Sequence, residues 1–150
     1  MEILVSDWRP EQMPTLVMGR LTRLLARLND EKLRPVGITA AQIPVVVLLK
    51  DGCRRTQKEL AEISGVEQPS MAQLLARMER DHLIRREPDP KDKRSSLISL
   101  TDHARQKLEP GRDALREADD DACAGLTVAE RETLTKLLEQ VTANVAAAIV

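Results

Sequence analysis

Aromatic side chains are almost absent from this sequence: among 150 residues there is one Trp, no Phe and no Tyr. A core must therefore be assembled from Leu, Val, Ile, Ala and Met, and because Leu and Ala favour helix the composition leans all-α. Cysteine is nearly as scarce. Cys53 and Cys123 lack a zinc spacing, and two cysteines do not make the disulfide framework of a small secreted domain. The two histidines, His82 and His103, add no metal-ligand spacing, so no metal or cofactor is expected. There is no apolar run of about 18 residues of the kind a transmembrane helix needs. The N-terminus does not follow the basic-then-apolar order of a signal peptide. The expectation is a reduced, cytoplasmic protein without a membrane partner. A Gly-rich phosphate loop, a nucleophile elbow and a His-Glu helix motif are all missing, so nothing points to an enzyme.

Charge is abundant but nearly balanced, with a net value of −1. Its distribution is uneven: Lys50 to Leu100 holds 11 Lys/Arg against 9 Asp/Glu, a slightly basic middle between acidic flanks. On its own this is a weak sign of a nucleic-acid partner.

The apolar periodicity divides the chain. After Pro14, Leu21, Leu24, Leu25 and Leu28 follow helical spacing until Pro35-Val36-Gly37 ends the pattern. Thr39-Ala40-Ala41-Gln42 reads as a capping box before the apolar run Ile43 to Leu49. Thr56-Gln57-Lys58-Glu59 is a second box, opening a short helix that stops at Ser64-Gly65-Val66. A further helix is expected from Gln68 to Asp81, with Met71, Leu74, Leu75 and Met78 as its apolar stripe. Two short strands follow near Ile84–Glu87 and Ser96–Leu100, joined by a proline-bearing polar tip over residues 88–94. Thr101 caps a long helix that Pro110-Gly111 should bend. The acidic run Glu117 to Asp121 reads as a solvated face. Thr127-Val128-Ala129-Glu130 caps the last helix. The fold class is mainly α with a small β-hairpin, and the order of elements describes a winged helix-turn-helix.

That arrangement suits double-stranded DNA. A helix fits the major groove, where each base pair shows a distinct set of donors and acceptors. The helix after the turn must then bury one face and present a small polar one. Gln68, Ser70, Gln73 and Arg77 meet that need, and Gln57 and Lys58 can assist from the preceding helix. An isolated helix with such a face would more simply be solvated; the short helix before it and the hairpin after it change the balance. At the hairpin tip, Lys91, Lys93 and Arg94 can approach phosphates or a narrow minor groove, with Asp92 bracing Arg94 or a nearby Arg.

Residues from about Thr39 to Thr101 resemble the MarR family of bacterial transcription regulators. Thr56-Gln57-Lys58-Glu59-Leu60-Ala61 is similar to that family's first helix-turn-helix segment. Gly65-Val66-Glu67-Gln68-Pro69-Ser70 is similar to the lead-in of its recognition helix, especially in SlyA-like members. Asp89-Pro90-Lys91-Asp92-Lys93-Arg94 resembles its wing, whose signature is Asp-Arg-Arg, and Ile98-Ser99-Leu100-Thr101 its exit into a long helix. Two positions depart. His82 stands where the family has a glycine, a place that often needs positive φ, so that either His82 adopts it or the turn differs. Lys93 replaces the first signature Arg, keeping charge but losing bidentate reach.

The resemblance implies one chain over 1–150, with a DNA-binding lobe at about 39–100 and helical dimerisation regions at about 11–34 and 101–150. It implies an intertwined homodimer, for which Leu16, Leu21, Leu134, Leu137, Leu138, Val141 and Val145 are interface candidates. Each of these has the alternative of packing within one subunit. It further implies a regulator, expected to repress, on a near-palindromic operator, released by a small aromatic or lipophilic effector whose pocket residues the sequence does not identify. Two rival readings remain open. One is a winged helix that binds protein. The other is a thiol-based redox regulator using Cys53, although relatives of that kind carry their cysteine near the first helix with supporting tyrosines, and this chain has neither.

Overall fold

The structure, a computed structural model, describes residues 7–149; residues 1–6 and 150 of the expected 1–150 unit lie outside it. The elements run α1 (Pro14–Leu33), α2 (Ile43–Leu49), α3 (Gln57–Ser64), α4 (Gln68–Arg80), β1 (Ile84–Asp89), β2 (Asp92–Leu100), α5 (Asp102–Arg105), α6 (Leu108–Ala122) and α7 (Val128–Ala148). The winged helix expected from the sequence is therefore present.

Capping chemistry sets most of the helix starts. Thr56 Oγ1 accepts from the Glu59 N–H at 3.1 Å, and Glu59 Oε1 accepts from the Thr56 N–H at 3.5 Å. Thr127 and Glu130 repeat the exchange at 3.1 and 2.9 Å. Before α2, Gln42 Oε1 accepts from the Thr39 N–H at 3.1 Å. Asp30 of α1 accepts from the Ala40 N–H at 2.7 Å, which fixes α1 against the start of α2. α3 stops where Gly65 takes a φ of 75°, a left-handed turn that a residue with a Cβ enters only at a cost.

The core sits in the lobe formed by α2, α3, α4 and the hairpin. Val45, Leu49, Leu60, Met71, Leu75, Met78, Ile98 and Leu100 are all at most 1% exposed. Burying each such side chain stabilises the fold by roughly 1.5–3 kcal/mol. One face of α4 is thereby committed to the core and the other left to solvent.

Three expectations need correction. The strands extend beyond the expected Ile84–Glu87 and Ser96–Leu100, and the tip over residues 88–94 shrinks to Pro90-Lys91. Pro88 is accommodated because β1 is an edge strand, where a missing N–H costs little, and the register shifts just after it. The long helix breaks at Gln106-Lys107 rather than at Pro110-Gly111. A proline ring collides with the carbonyl four residues earlier, here that of Gln106, so the disruption falls one turn upstream. Gly111 instead serves close contact: a Cβ there would lie 3.2 Å from Ile38 Cδ1. Lastly, the acidic run is more than a solvated face. Glu117 and Asp121 hold Lys32 of α1 at 2.8 and 3.0 Å, and Asp120 holds Arg131 of α7 at 3.0 Å.

α4 ends in a Schellman arrangement. The Leu83 N–H reaches the Met78 carbonyl at 2.9 Å, and the His82 N–H reaches Glu79 at 3.1 Å. His82 carries a φ of 60°, so it adopts the conformation the family's glycine would. Its carbonyl accepts from Thr101 Oγ1 at 2.6 Å, closing the base of the hairpin.

A left-handed residue with a Cβ costs roughly 1–2 kcal/mol, partly offset for glycine by its freer unfolded chain. His82→Gly should therefore stabilise the protein by about 0.5–1 kcal/mol in urea unfolding; a loss of stability would show that the His82 side chain is needed. The Lys32 ammonium is raised from 10.5 to about 12, first by the Glu117 hydrogen bond and then by Asp121. A raised lysine stabilises below its unfolded value and loses that contribution as pH climbs through the folded one. Lys32→Gln should thus be less stable than the parent near neutral pH, with the gap closing as pH approaches about 12; a gap independent of pH would assign the effect to lost side-chain contacts.

Candidate nucleic-acid interface

The helix-turn-helix and the hairpin together build a polar, partly basic face. Met71, Leu75 and Met78 turn α4 inward, and this leaves Gln68, Ser70, Gln73 and Arg77 exposed on its outer side. All four predicted readers therefore lie on a free face. Gln57, at the first turn of α3, is half-buried, and its Nε2 donates to Gln68 Oε1 at 3.3 Å. The turn thus brings together two residues placed on separate helices from the sequence. Lys58 is exposed beside them.

The wing tip is shaped by its own carboxylates. Asp89 Oδ1 accepts from the Lys91 N–H and Asp92 Oδ1 from the Arg94 N–H, each at 2.9 Å. Such Asx turns favour a tight reversal, and Pro90 pre-sets its first central φ. Asp92 thus braces the backbone of Arg94. The expected partner, Arg94, is held by its backbone N–H and not by its guanidinium. Lys91, Lys93 and Arg94 are exposed. Their side chains enter no ion pair among those found in the described residues.

Two ion pairs at mid-hairpin were not legible in the sequence: Arg54 Nη1 to Glu87 Oε2 at 3.0 Å, and Arg86 Nε to Glu79 Oε1 at 3.4 Å. Seven and 33 residues separate the partners, and only the packing of the hairpin against α4 and the segment before α3 makes them neighbours. The first pair bears on Cys53. That thiol is exposed, but the adjacent guanidinium of Arg54 points to Glu87 and that of Arg55 donates to the Leu48 carbonyl at 3.3 Å. Cys123 is half-buried. No group of three or more His, Cys, Asp and Glu suited to a metal ion occurs among the described residues. No single described helix is long and apolar enough to cross a membrane.

Away from this face, the helical ends of the chain expose apolar surface. Leu16, Leu21, Leu134, Leu137, Leu138 and Val145 are 37–56% exposed, Val141 is half-buried, and α7 buries none of its described residues. Between α1, α2, α6 and α7 lies a cavity of about 970 Å³, mainly apolar and including Leu21, Val46, Leu115, Leu134 and Leu138. Lys50, Arg112 and Arg131 also line it, each paired with a carboxylate: Lys50 with Asp51, Arg112 with Glu109 and Asp113, and Arg131 with Asp120.

Comparison with known proteins places this architecture. Residues 36–95 match the family model described as MarR family. A probable transcriptional regulator from Pseudomonas aeruginosa is 28% identical with a TM-score of 0.81, covering 89% of this chain and 99% of its own. A cysteine-to-serine mutant of MarR from E. coli, solved in complex with operator DNA, is 29% identical with a TM-score of 0.73, covering 83% and 92%. The transcriptional repressor CouR, solved on a 23-mer DNA duplex, is 25% identical with a TM-score of 0.80, covering 88% and 94%. With its helix-turn-helix, its Asx-turned basic wing and near full-length likeness to these regulators, the chain is similar to the MarR family, whose model it matches over residues 36–95.

Proposed function

We propose that this protein is a DNA-binding transcriptional regulator that acts as a homodimer on a near-palindromic operator and represses from there. The observation that carries the reading is the outward face of α4, where Gln68, Ser70, Gln73 and Arg77 stand exposed beside a basic wing. Related proteins solved on DNA support it. In this reading α4 enters the major groove. Gln73 and Arg77 contact base edges or phosphates, Gln57, Lys58, Gln68 and Ser70 contact the flanking backbone and bases, and Lys91, Lys93 and Arg94 grip phosphates or the minor groove. The lobe at about 39–100 binds DNA, and the regions at about 11–34 and 101–150 make the dimer. Twofold symmetry then presents two copies of α4 to two half-sites. The role is regulatory rather than enzymatic, and its place is the cytoplasm.

Release by a small molecule belongs to the same reading. The cavity of about 970 Å³ lies between the dimerisation helices and the DNA-binding lobe. Its size is at the upper end of ligand pockets, roughly 300–1,000 Å³. Its mainly apolar lining suits a small aromatic or lipophilic molecule. An occupant that favours one spacing of the two lobes shifts the population that fits the operator.

The test begins by selecting duplexes from a random library with the purified protein, then measuring affinity by fluorescence anisotropy across a salt series. Replacing Gln73, Arg77 and Arg94 together by alanine should weaken the selected duplex by about 100-fold or more, since each good base contact is worth about 1–3 kcal/mol. Arg94→Ala alone should lower the salt slope by about 1. All three side chains are exposed, so stability should stay within about 0.5 kcal/mol of the parent. Weak binding, equal for all duplexes and unchanged by the triple replacement, would contradict the reading and favour a winged helix that binds protein.

A further inference from the structure

The wing is gripped from both faces at mid-strand. Successive residues of a strand point to opposite sides of the sheet, and Arg86 and Glu87 are successive in β1. Arg86 reaches Glu79 of α4 at 3.4 Å, while Glu87 holds Arg54, in the segment leading into α3, at 3.0 Å. Between them the backbone of Arg55 exchanges two hydrogen bonds with Ile98 of β2, at 3.1 and 2.8 Å, and Ile98 stands opposite Arg86 in the ladder. The line Arg55, Ile98, Arg86, Glu79 therefore runs crosswise from the start of the helix-turn-helix to α4.

This matters because the wing is a lever. The three residue steps from Glu87 to Pro90 carry the tip about 10 Å beyond these pairs, so a rotation of about 10° there moves it by about 2 Å. Hydrogen bonds tolerate a few tenths of an ångström. Backbone pairing alone leaves such freedom, since two-stranded ribbons vary widely in twist. Charge pairs on opposite faces oppose rotation in either sense. Their partners are partly exposed, from 29% to 60%, so they add little to stability, and their value lies in orientation.

We propose that Glu79–Arg86 and Glu87–Arg54 are positioning pairs that set the angle of the wing against α4, so that Lys93, Arg94 and the outer face of α4 engage one duplex together. The proposal rests on the DNA-binding reading above. It makes a distinctive prediction of sign: removing negative charge near a polyanion should by itself tighten binding, whereas loss of positioning weakens it.

The experiment uses the full chain and its selected duplex. Three variants are compared with the parent: Glu79→Gln with Glu87→Gln, the same pair with Arg94→Ala added, and the charge exchange Glu79→Arg with Arg86→Glu. The double Gln variant should bind about fivefold more weakly with an unchanged melting temperature. In its background, Arg94→Ala should cost less than about a third of the factor it costs in the parent, the coupling expected of residues acting through one another. The charge exchange should bind within about twofold of the parent. Tighter binding by the double Gln variant, an Arg94 loss equal in both backgrounds, or an exchange that binds no better than the neutralised protein would each overturn the proposal. Absence of any selected duplex for the parent would instead overturn the DNA-binding reading, and the proposal with it.

Discussion

A helix of 21 residues that buries none of its side chains against its own chain is the constraint on which the rest of the structure depends. Amphipathic helices owe most of their stability to burial of their apolar face, and α7 has its stripe of Leu134, Leu137, Leu138, Val141 and Val145 only partly covered inside the subunit. Leu16 and Leu21 of α1 stand exposed in the same way. A second copy of the chain is the cover we propose, and burying such side chains would contribute roughly 1.5–3 kcal/mol each. The DNA-binding lobe, by contrast, closes its own core. On that proposal the molecule divides into a part complete within one chain and a part that calls for two, and the second sets the distance between paired recognition helices.

Much of this was legible because local chemistry writes it. Thr56 with Glu59 and Thr127 with Glu130 are capping boxes whose residue types alone announce a helix start. Gly65 marks the helix-turn-helix turn because left-handed backbone favours glycine. The stripe Met71, Leu74, Leu75 and Met78 shows which side of α4 faces the core, and so which side is free. Even the departure at His82 was readable as a choice between two outcomes, and its φ of 60° decides it.

What was not legible depends on contacts between distant residues or on effects displaced along the chain. Pro110 signals a break, but its clash acts four residues upstream, so the helix parts at Gln106-Lys107. Asp92 was rightly singled out beside Arg94, yet its partner is a backbone N–H, which residue type does not reveal. The pairs Glu79–Arg86 and Arg54–Glu87, and the bracket of Lys32 by Glu117 and Asp121, need the packing of the hairpin against α4 and the segment before α3, and the crossing of α1 with α6, before they exist. The cavity among α1, α2, α6 and α7 belongs to no segment at all.

These features join into one account. We propose that two chains share their terminal helices, that the shared scaffold spaces two copies of α4, that the wing extends each contact, and that a ligand between scaffold and lobe alters the spacing. Sedimentation equilibrium of the protein alone and on its selected duplex tests this most directly. The account predicts a free species of twice the 16.8 kDa chain mass, no folded monomer on dilution, and two chains on each duplex. A stable, folded monomer that occupies the duplex as a single chain would contradict it.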